Sequence, residues 1–198
     1  MLTHQLSMSY ENKLTATAFE MQIKKWTKDF DQFWVPDYED QRLTGAMSNN
    51  SFEIPTTFIG PLSRFTEVSK EGKGILVILS GPEPQRTLLE KDLDTQLSEC
   101  TEQVTFVRGS NDSKLSPLNQ NFQVIPLAGS DQLQELIRQA RIVITRSGYS
   151  SLMDFDVLKK PVIMIPTPGQ KEQEYLAEVH RENGNMKFVE QGENLGLH

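Results

Sequence analysis

The segment Arg146–Ser151 has the composition of a phosphate-binding loop at the start of a helix. Its sequence is Arg-Ser-Gly-Tyr-Ser-Ser, and it follows a predicted buried strand at Arg141–Thr145. Gly148 lets the backbone approach a ligand closely, and the free N–H groups of a helix's first turn carry partial positive charge. A diphosphate fits such a site, helped by the Ser150 and Ser151 hydroxyls. A plain serine N-cap explains the same residues, so both interpretations stay open.

Asp154 lies six residues past Gly148, in the same predicted helix. A carboxylate at that place can accept two hydrogen bonds from vicinal hydroxyls, as the acidic residues that hold a ribose do. The alternative is a solvated acid that the helix dipole favours near the N-terminus. Asp156 is two positions further on and therefore points elsewhere.

A second group of polar residues follows the predicted strand Pro161–Ile165. The turn Pro166–Gln170 leads into a polar helix, with Gln173 and Glu174 in its first turns. Amide and carboxylate groups at the carboxyl end of a strand suit a polyhydroxylated sugar. An exposed helix surface explains the same residues, and spacing alone does not separate the two interpretations.

The segment Ser80–Arg86 follows another apolar strand, Gly74–Leu79. The Ser80 hydroxyl and Gly81 could face a phosphate, with Arg86 supplying positive charge; an ordinary turn with a solvated arginine is the alternative. It is not a P-loop, because it lacks Gly-Lys-Ser/Thr and its two prolines remove backbone donors. The three histidines are scattered and there is one cysteine, so we expect no zinc site.

The elements that must position these segments alternate between strand and helix. Strands are predicted at Gly74–Leu79, Gln103–Arg108, Phe122–Pro126, Arg141–Thr145 and Pro161–Ile165, and helices at Gln85–Leu97, Asp131–Ala140, Ser150–Leu158 and Gln170–Glu182. Such alternation with short connections indicates a parallel sheet with right-handed crossovers. Continuous apolar strands indicate a sheet covered on both faces. The sequence therefore predicts an α/β domain with a doubly wound parallel sheet at residues 66–198.

Residues 1–65 are predicted to form part of a second α/β domain. Phe19, Ile23 and Trp26 give Ala16–Lys28 the spacing of an amphipathic helix. Short strands are expected at Phe30–Val35 and Thr57–Gly60. The charged stretch Glu67–Gly74 has the composition of a linker. Met1–Gln5 resembles the end of a strand, so we expect either a fragment of a larger protein or a short natural edge strand.

Composition limits the class of protein. At 198 residues the chain can form one good core, or one core plus a fragment. The net charge of -7 argues against a nucleic-acid partner held by bulk electrostatics. A single cysteine, Cys100, favours a reducing compartment, and no apolar run reaches the roughly 18 to 20 residues of a membrane helix. A cytoplasmic protein without a transmembrane segment is therefore predicted.

Taken together, these segments resemble the C-terminal domain of GT-B glycosyltransferases of family 28. The resemblance spans most of residues 74–190 and rests on four elements in order and spacing: Arg146-Ser-Gly148, Asp154, the strand ending in Ile165-Pro166, and Gln173-Glu-Tyr175. It implies a Rossmann-like domain that binds a UDP-sugar donor. Departures are a Ser-Gly-Pro-Glu-Pro loop where the family has a glycine-rich one, and Asp154 where the family usually has Glu.

The resemblance also implies roles for single residues. Asp154 would bind the ribose of UDP, and Gln173 and Glu174 would hold the sugar. The predicted donor-binding residues are completed by Ser80, Gly81, Arg86, Ser130 with neighbouring Gly129, Arg146, Ser147, Gly148 and Ser150. Thr3-His-Gln5 falls where the family has an acceptor-side loop, which makes His4 a weak candidate for the catalytic base. The family's N-terminal glycine-rich loop, with its candidate base, is absent from the sequence.

The leading hypothesis is a hexosyltransferase, of which this chain is the C-terminal portion. It would transfer a sugar from UDP to an unknown acceptor, lipid-linked by analogy with the family, at the inner face of the membrane. The UDP-sugar would be a substrate, and no cofactor or metal is expected. A missing N-terminal half or a partner chain would complete the enzyme. The alternatives are a UDP-sugar 2-epimerase and a non-catalytic or split-enzyme nucleotide-sugar-binding subunit.

Overall fold

The computed structural model describes residues 1–8, 12–111, 118–181 and 184–197. They divide into two units, Met1–Leu62 and Ser63–His198. The division falls after Leu62, whereas the sequence suggested one after residue 65. None of the helices in these ranges combines the length and hydropathy that a membrane span requires.

The first unit contains a small parallel sheet and one long helix. Its elements are α1 (Lys13–Thr27), β1 (Phe33–Val35), a 3₁₀ turn (Gly45–Ser48) and β2 (Thr56–Phe58). Leu2 bridges to Trp34 in parallel, and Trp34 is in register with Thr57 on the other side. Leu6, Phe33 and Val35 form a buried cluster beneath the sheet. The region thus combines helix and parallel strands, the α/β character that the sequence predicts for it.

The predicted helix stripe at Phe19, Ile23 and Trp26 is only partly correct. Trp26 is 61% exposed, whereas Ile23 and Thr27 are buried. Residues four apart lie about 40° from each other around a helix, so the buried face runs through Ile23 and Thr27 and leaves Trp26 outside it. The buried Thr27 hydroxyl has a hydrogen-bond partner, because it donates to the Ile23 carbonyl oxygen at 2.7 Å.

The second unit is built on a six-stranded sheet. Its elements are β3 (Ile75–Ile78), α2 (Gln85–Leu97), β4 (Val104–Val107), β5 (Gln123–Ile125), α3 (Ser130–Gln139), β6 (Ile142–Arg146), α4 (Tyr149–Leu158), β7 (Val162–Ile165), α5 (Lys171–Val179) and β8 (Met186–Phe188). The strand order is β5-β4-β3-β6-β7-β8, and every pairing is parallel. This order confirms the predicted doubly wound fold. Glu182, the last residue of the predicted final helix, lies outside the described residues.

The central strands of this sheet are apolar and buried in the core of the unit. All four residues of β4 and of β7 are buried, as expected where helices cover both faces of a parallel sheet. Helix α2 packs Leu89, Leu93 and Leu97 against the strands. At about 1.5–3 kcal/mol for each fully buried leucine, this face makes α2 an integral part of the core.

The stretch predicted as a linker is bound to the second unit. Lys160 is fully buried, and its ammonium group donates to the carbonyl oxygens of Ser69, Glu71 and Arg138 at 3.0, 2.9 and 3.1 Å. The Val68 N–H also donates to the Leu158 carbonyl oxygen at 3.2 Å. The linker prediction was wrong. Charge and glycine content are local properties of the stretch, and they do not reveal hydrogen bonds that a distant lysine makes to its backbone.

Candidate functional site

The strand order places a topological switch point between β3 and β6. The chain turns from β3 towards β4 and from β6 towards β7, so the connections leave these neighbouring strands in opposite directions. Ligands of doubly wound folds bind outside the carboxyl ends of strands at such a point. Ile78 is in register with Thr145, and Ser80 and Ser147 each lie two residues beyond this pair. Two predicted phosphate loops are therefore brought to the same edge of the sheet.

Gly148 is the N-cap residue of α4, so this helix begins without a capping side chain. Its backbone is extended at φ -67 and ψ 152, and no side chain at the N-cap accepts from the first-turn N–H groups. A Cβ added at Gly148 would meet no atom of the described residues within 4 Å, so among these residues the space in front of the helix is open. The serine-cap interpretation is therefore not what the structure shows.

Ser147 is buried beside this helix start. It is 1% exposed, and its Oγ has no hydrogen-bond partner among the described residues. An unsatisfied buried hydroxyl costs about 1–3 kcal/mol, so such a group indicates that a further polar partner belongs there. Ser150 is exposed in the first turn of α4, and Asp154 follows at i+4 on the same face of the helix.

Asp154 is half-buried one turn beyond Ser150. Its Oδ1 accepts a hydrogen bond from the Ser63 hydroxyl at 2.6 Å. Burial raises the pKa of Asp154, and the Ser63 bond and the nearby Arg64 charge oppose that shift. Sequence reasoning did not identify Ser63, because the two residues lie 91 positions apart and share no motif.

Arg146 was predicted to contact the donor, but it is a buried support. It is 3% exposed, and its guanidinium donates to the Pro166 and Gln85 carbonyl oxygens at 3.1 and 2.7 Å. Burial lowers its pKa to about 10. The side chain thus joins the end of β6 to the loop after β7 and to the start of α2. Its guanidinium is therefore buried and hydrogen-bonded to these carbonyls.

Arg86, also predicted to contact the donor, is buried in an ion-pair group. It is 4% exposed, forms an ion pair with Glu83 and lies 3.8 Å from Glu90. Arg108 completes the group by donating to both Glu90 oxygens at 2.5 and 2.7 Å. The spacing of Arg86 with Leu89 and the later leucines of α2 places it on the buried face of the helix, and this helical spacing is a signal that the sequence itself contains.

The loop after β3 keeps the geometry expected of an open turn. Gly81 has φ +93, a left-handed conformation that glycine adopts without strain. A Cβ there would meet no atom within 4 Å, and Ser80 is exposed. Of the predicted phosphate residues in this loop, Ser80 and Gly81 therefore lie open at the carboxyl end of β3, while Arg86 does not.

Gln173 and Glu174 hold the turn that precedes α5. The Thr167 N–H donates to Gln173 Oε1 at 2.8 Å, and the Gly169 N–H donates to Glu174 Oε1 at 2.8 Å. Lys171 donates to the other Glu174 oxygen at 2.8 Å, and these bonds lower the Glu174 pKa. The two side chains lie at the carboxyl end of β7, as predicted, but they are engaged with their own loop.

The remaining predicted residues belong to other elements. Gly129 is the N-cap of α3, Ser130 opens that helix, and a Cβ at Gly129 would meet no atom within 4 Å. This helix start follows β5, at one side of the sheet. His4 is partly buried in the first unit, and the structure gives no geometry that relates it to this site.

The family model described as "Glycosyltransferase family 28 C-terminal domain" matches residues 75–195, which is more than half of the chain. The chain belongs to this family. The match confirms the resemblance drawn from Arg146-Ser-Gly148, Asp154 and the segments around them. It also covers every strand of the second unit, from β3 to β8.

Individual relatives agree with the family assignment. A protein of Parasynechococcus marenigrum (strain WH8102) is 27% identical over 128 residues, which are 62% of this chain and 36% of that protein. It is named UDP-N-acetylglucosamine--N-acetylmuramyl-(pentapeptide) pyrophosphoryl-undecaprenol N-acetylglucosamine transferase. This relative is a glycosyltransferase, as the family is, so the comparisons do not favour the epimerase or non-catalytic alternatives.

Solved structures share the fold at low identity. The glycotransferase of kitacinnamycin superimposes with a TM-score of 0.62 at 14% identity, over 95% of this chain and 56% of that one. MurG of Acinetobacter baumannii gives 0.51 at 13% identity, over 90% and 65%. The chain thus spans 36% of the curated relative and 56% of the kitacinnamycin enzyme.

Proposed function

We propose that this chain is the donor-binding portion of a UDP-sugar-dependent hexosyltransferase. The observation that carries the proposal is the start of α4 at the switch point of the sheet. Three features coincide there: a helix N-terminus without a side-chain cap, open space before Gly148, and the buried Ser147 hydroxyl, which has no partner among the residues that the structure describes. Membership of a glycosyltransferase family supports the reaction type.

The diphosphate of the donor would lie at the start of α4. The first-turn N–H groups and the helix dipole favour negative charge there, and the Ser147 and Ser150 hydroxyls can donate to phosphate oxygens. Asp154 lies six residues past Gly148, which is about 9 Å along a helix axis. A nucleoside diphosphate can therefore extend along the helix, with its phosphates at Gly148 and its ribose hydroxyls at Asp154.

In the proposed reaction, the acceptor hydroxyl attacks the anomeric carbon of the sugar. A general base takes the hydroxyl proton, the new glycosidic bond forms, and UDP departs with the electrons of the broken C–O bond. The helix N–H groups stabilise the negative charge that develops on the departing diphosphate, and they are already oriented before the reaction begins. The UDP-sugar is a substrate, and no separate cofactor is required.

The acceptor is proposed from the named relative alone. That protein's name specifies a pyrophosphoryl-undecaprenol acceptor, so a lipid-linked acceptor, met at the inner face of the membrane, is the first to test. The base would come from the acceptor side, either from a preceding N-terminal half or from a partner chain. His4 remains a weak candidate for this role.

Calorimetry with UDP and UDP-N-acetylglucosamine tests the donor site. We expect binding that falls about tenfold or more in Asp154→Ala, because a charge-assisted bond contributes about 1.5–3 kcal/mol. Asp156→Ala is the matched control: the same residue type in the same helix, engaged with Lys159 at 3.2 Å. A folded protein that binds neither nucleotide, or an Asp154→Ala variant with unchanged affinity, would contradict the proposal.

A further inference from the structure

The hydroxyl group of Ser63 contacts the carboxylate that is proposed to bind the ribose. It donates to Asp154 Oδ1 at 2.6 Å and accepts the Phe65 N–H at 3.0 Å. Both residues belong to the second unit. The two bonds fix the direction of the hydroxyl, because one of its two lone pairs accepts the backbone N–H and its proton is directed at the carboxylate.

The segment that carries Ser63 is firmly attached to this unit. Phe65 is 6% exposed and Val68 is 9% exposed. Two hydrogen bonds join Thr66 to Gln134. The Thr66 N–H donates to Gln134 Oε1 at 3.3 Å, and Gln134 Nε2 donates to the Thr66 hydroxyl at 3.0 Å. Ser63 therefore presents its hydroxyl from a support that is held at several points.

The bond leaves enough of the carboxylate free for a ligand. An ionised carboxylate offers about four acceptor positions, and Ser63 uses one of them on Oδ1. Without this bond, rotation about the terminal torsion of an aspartate is broad and only weakly restricted. A fixed carboxylate plane loses less rotational freedom when it accepts from two adjacent hydroxyls.

We propose that Ser63 is a positioning residue that orients the Asp154 carboxylate for the ribose hydroxyls of the donor nucleotide. The inference rests on the proposed function, since it assumes that Asp154 holds the ribose. It adds a specificity-determining residue that lies outside the strand-loop-helix segments of the nucleotide fold. Ser63 does not touch the nucleotide in this scheme and acts only through Asp154.

A binding cycle with two nucleotides tests the inference. The affinities of UDP and of 2′,3′-dideoxy-UDP are measured by calorimetry, and their ratio reports how strongly the site recognises the ribose hydroxyls. We expect a ratio of about 10 or more for the unmodified chain, and a three- to tenfold smaller ratio in Ser63→Ala. Ser63→Thr retains the hydroxyl and is expected to restore most of the ratio.

Ser69→Ala is the matched control for this cycle. The Ser69 hydroxyl accepts the Glu71 N–H at 3.2 Å, two residues on, as Ser63 accepts from Phe65. The control removes the same type of turn bond from the same segment, and we expect it to leave the ratio unchanged. Ser63→Gly provides a second deletion of the hydroxyl if Ser63→Ala does not fold.

The outcomes separate the inference from the proposed function. An unchanged ratio in folded Ser63→Ala or Ser63→Gly overturns the inference alone, as does an equal fall in Ser69→Ala. If the unmodified chain binds UDP no better than 2′,3′-dideoxy-UDP, the assignment of the ribose to this site fails, and the inference fails with it. A fall confined to the variants that lack the Ser63 hydroxyl supports it.

Discussion

At the scale of single residues, Asp154 couples the proposed site to pH. Its pKa is raised in the folded chain by burial, whereas the unfolded chain titrates this group at about 3.9. Between these two values the folded chain binds more protons than the unfolded chain, so its stability falls as pH increases. The contribution of Asp154 is therefore complete below about pH 4 and is lost as pH rises through the raised pKa.

Asp154→Asn is expected to remove this dependence. We predict that the free energy of unfolding of the unmodified chain, minus that of Asp154→Asn, decreases with pH across this window and is constant on either side. Urea unfolding of both proteins at intervals from about pH 3.5 to 7 measures the difference, and the contributions of the other carboxylates cancel in it. A difference that increases with pH would contradict the assignment.

An added methyl group is expected to act differently at two glycines of the site: mainly on UDP binding at one and mainly on stability at the other. Gly148 is an N-cap residue with φ -67 and open space before it, so Gly148→Ala should lower the free energy of unfolding by about 0.5–1 kcal/mol, because alanine is a poorer N-cap than glycine, and its methyl group should weaken diphosphate binding. Gly81 has φ +93, so Gly81→Ala should destabilise the fold by about 1–2 kcal/mol. Urea unfolding and UDP calorimetry on both variants test this; a Gly148→Ala variant that binds UDP normally would contradict the diphosphate position.

At the scale of elements, Lys160 attaches the segment before β3 to α3 and α4. Lys160→Met keeps the aliphatic stem but leaves three carbonyl groups without their donor, and we expect a loss of about 2–4 kcal/mol. Hydrogen exchange should accelerate first at residues 67–73. Lys159→Met is the matched control, since the Lys159 side chain is 41% exposed and, in the part of the chain that the structure describes, its ammonium pairs with Asp156 alone; a similar loss in both variants would refute the specific role of Lys160.

The arrangement of elements in the second unit was largely predictable, because hydrophobic period and loop composition are local signals. Helix α2 was predicted with both ends correct, Gln85 and Leu97. Long-range polar partners were not predictable. Arg146 and Lys160 donate to carbonyl groups that any residue could supply, and Ser63 meets Asp154 across 91 positions. These contacts depend on the tertiary structure and leave no pattern in the sequence.

At the scale of the whole molecule, donor binding should stabilise the unit that contains the site. A ligand at about 100 times its Kd adds about 2.7 kcal/mol to the free energy of unfolding, which corresponds to an increase in Tm of about 5–15 °C for a unit of this size. Thermal melts followed by far-UV circular dichroism with UDP measure the shift. Asp156→Ala should show the full shift and Asp154→Ala a much smaller one; equal shifts would contradict the site.

The positions of the two tryptophans determine what fluorescence can measure in this protein. Trp26 and Trp34 are the only ones in the sequence, and both lie in the first unit, 61% and 52% exposed. Their emission should already be that of a solvated indole in the folded chain, so unfolding will shift it little. The second unit has no intrinsic indole reporter, and a tryptophan introduced at Tyr175, beside Gln173 and Glu174, would supply one next to the proposed sugar position.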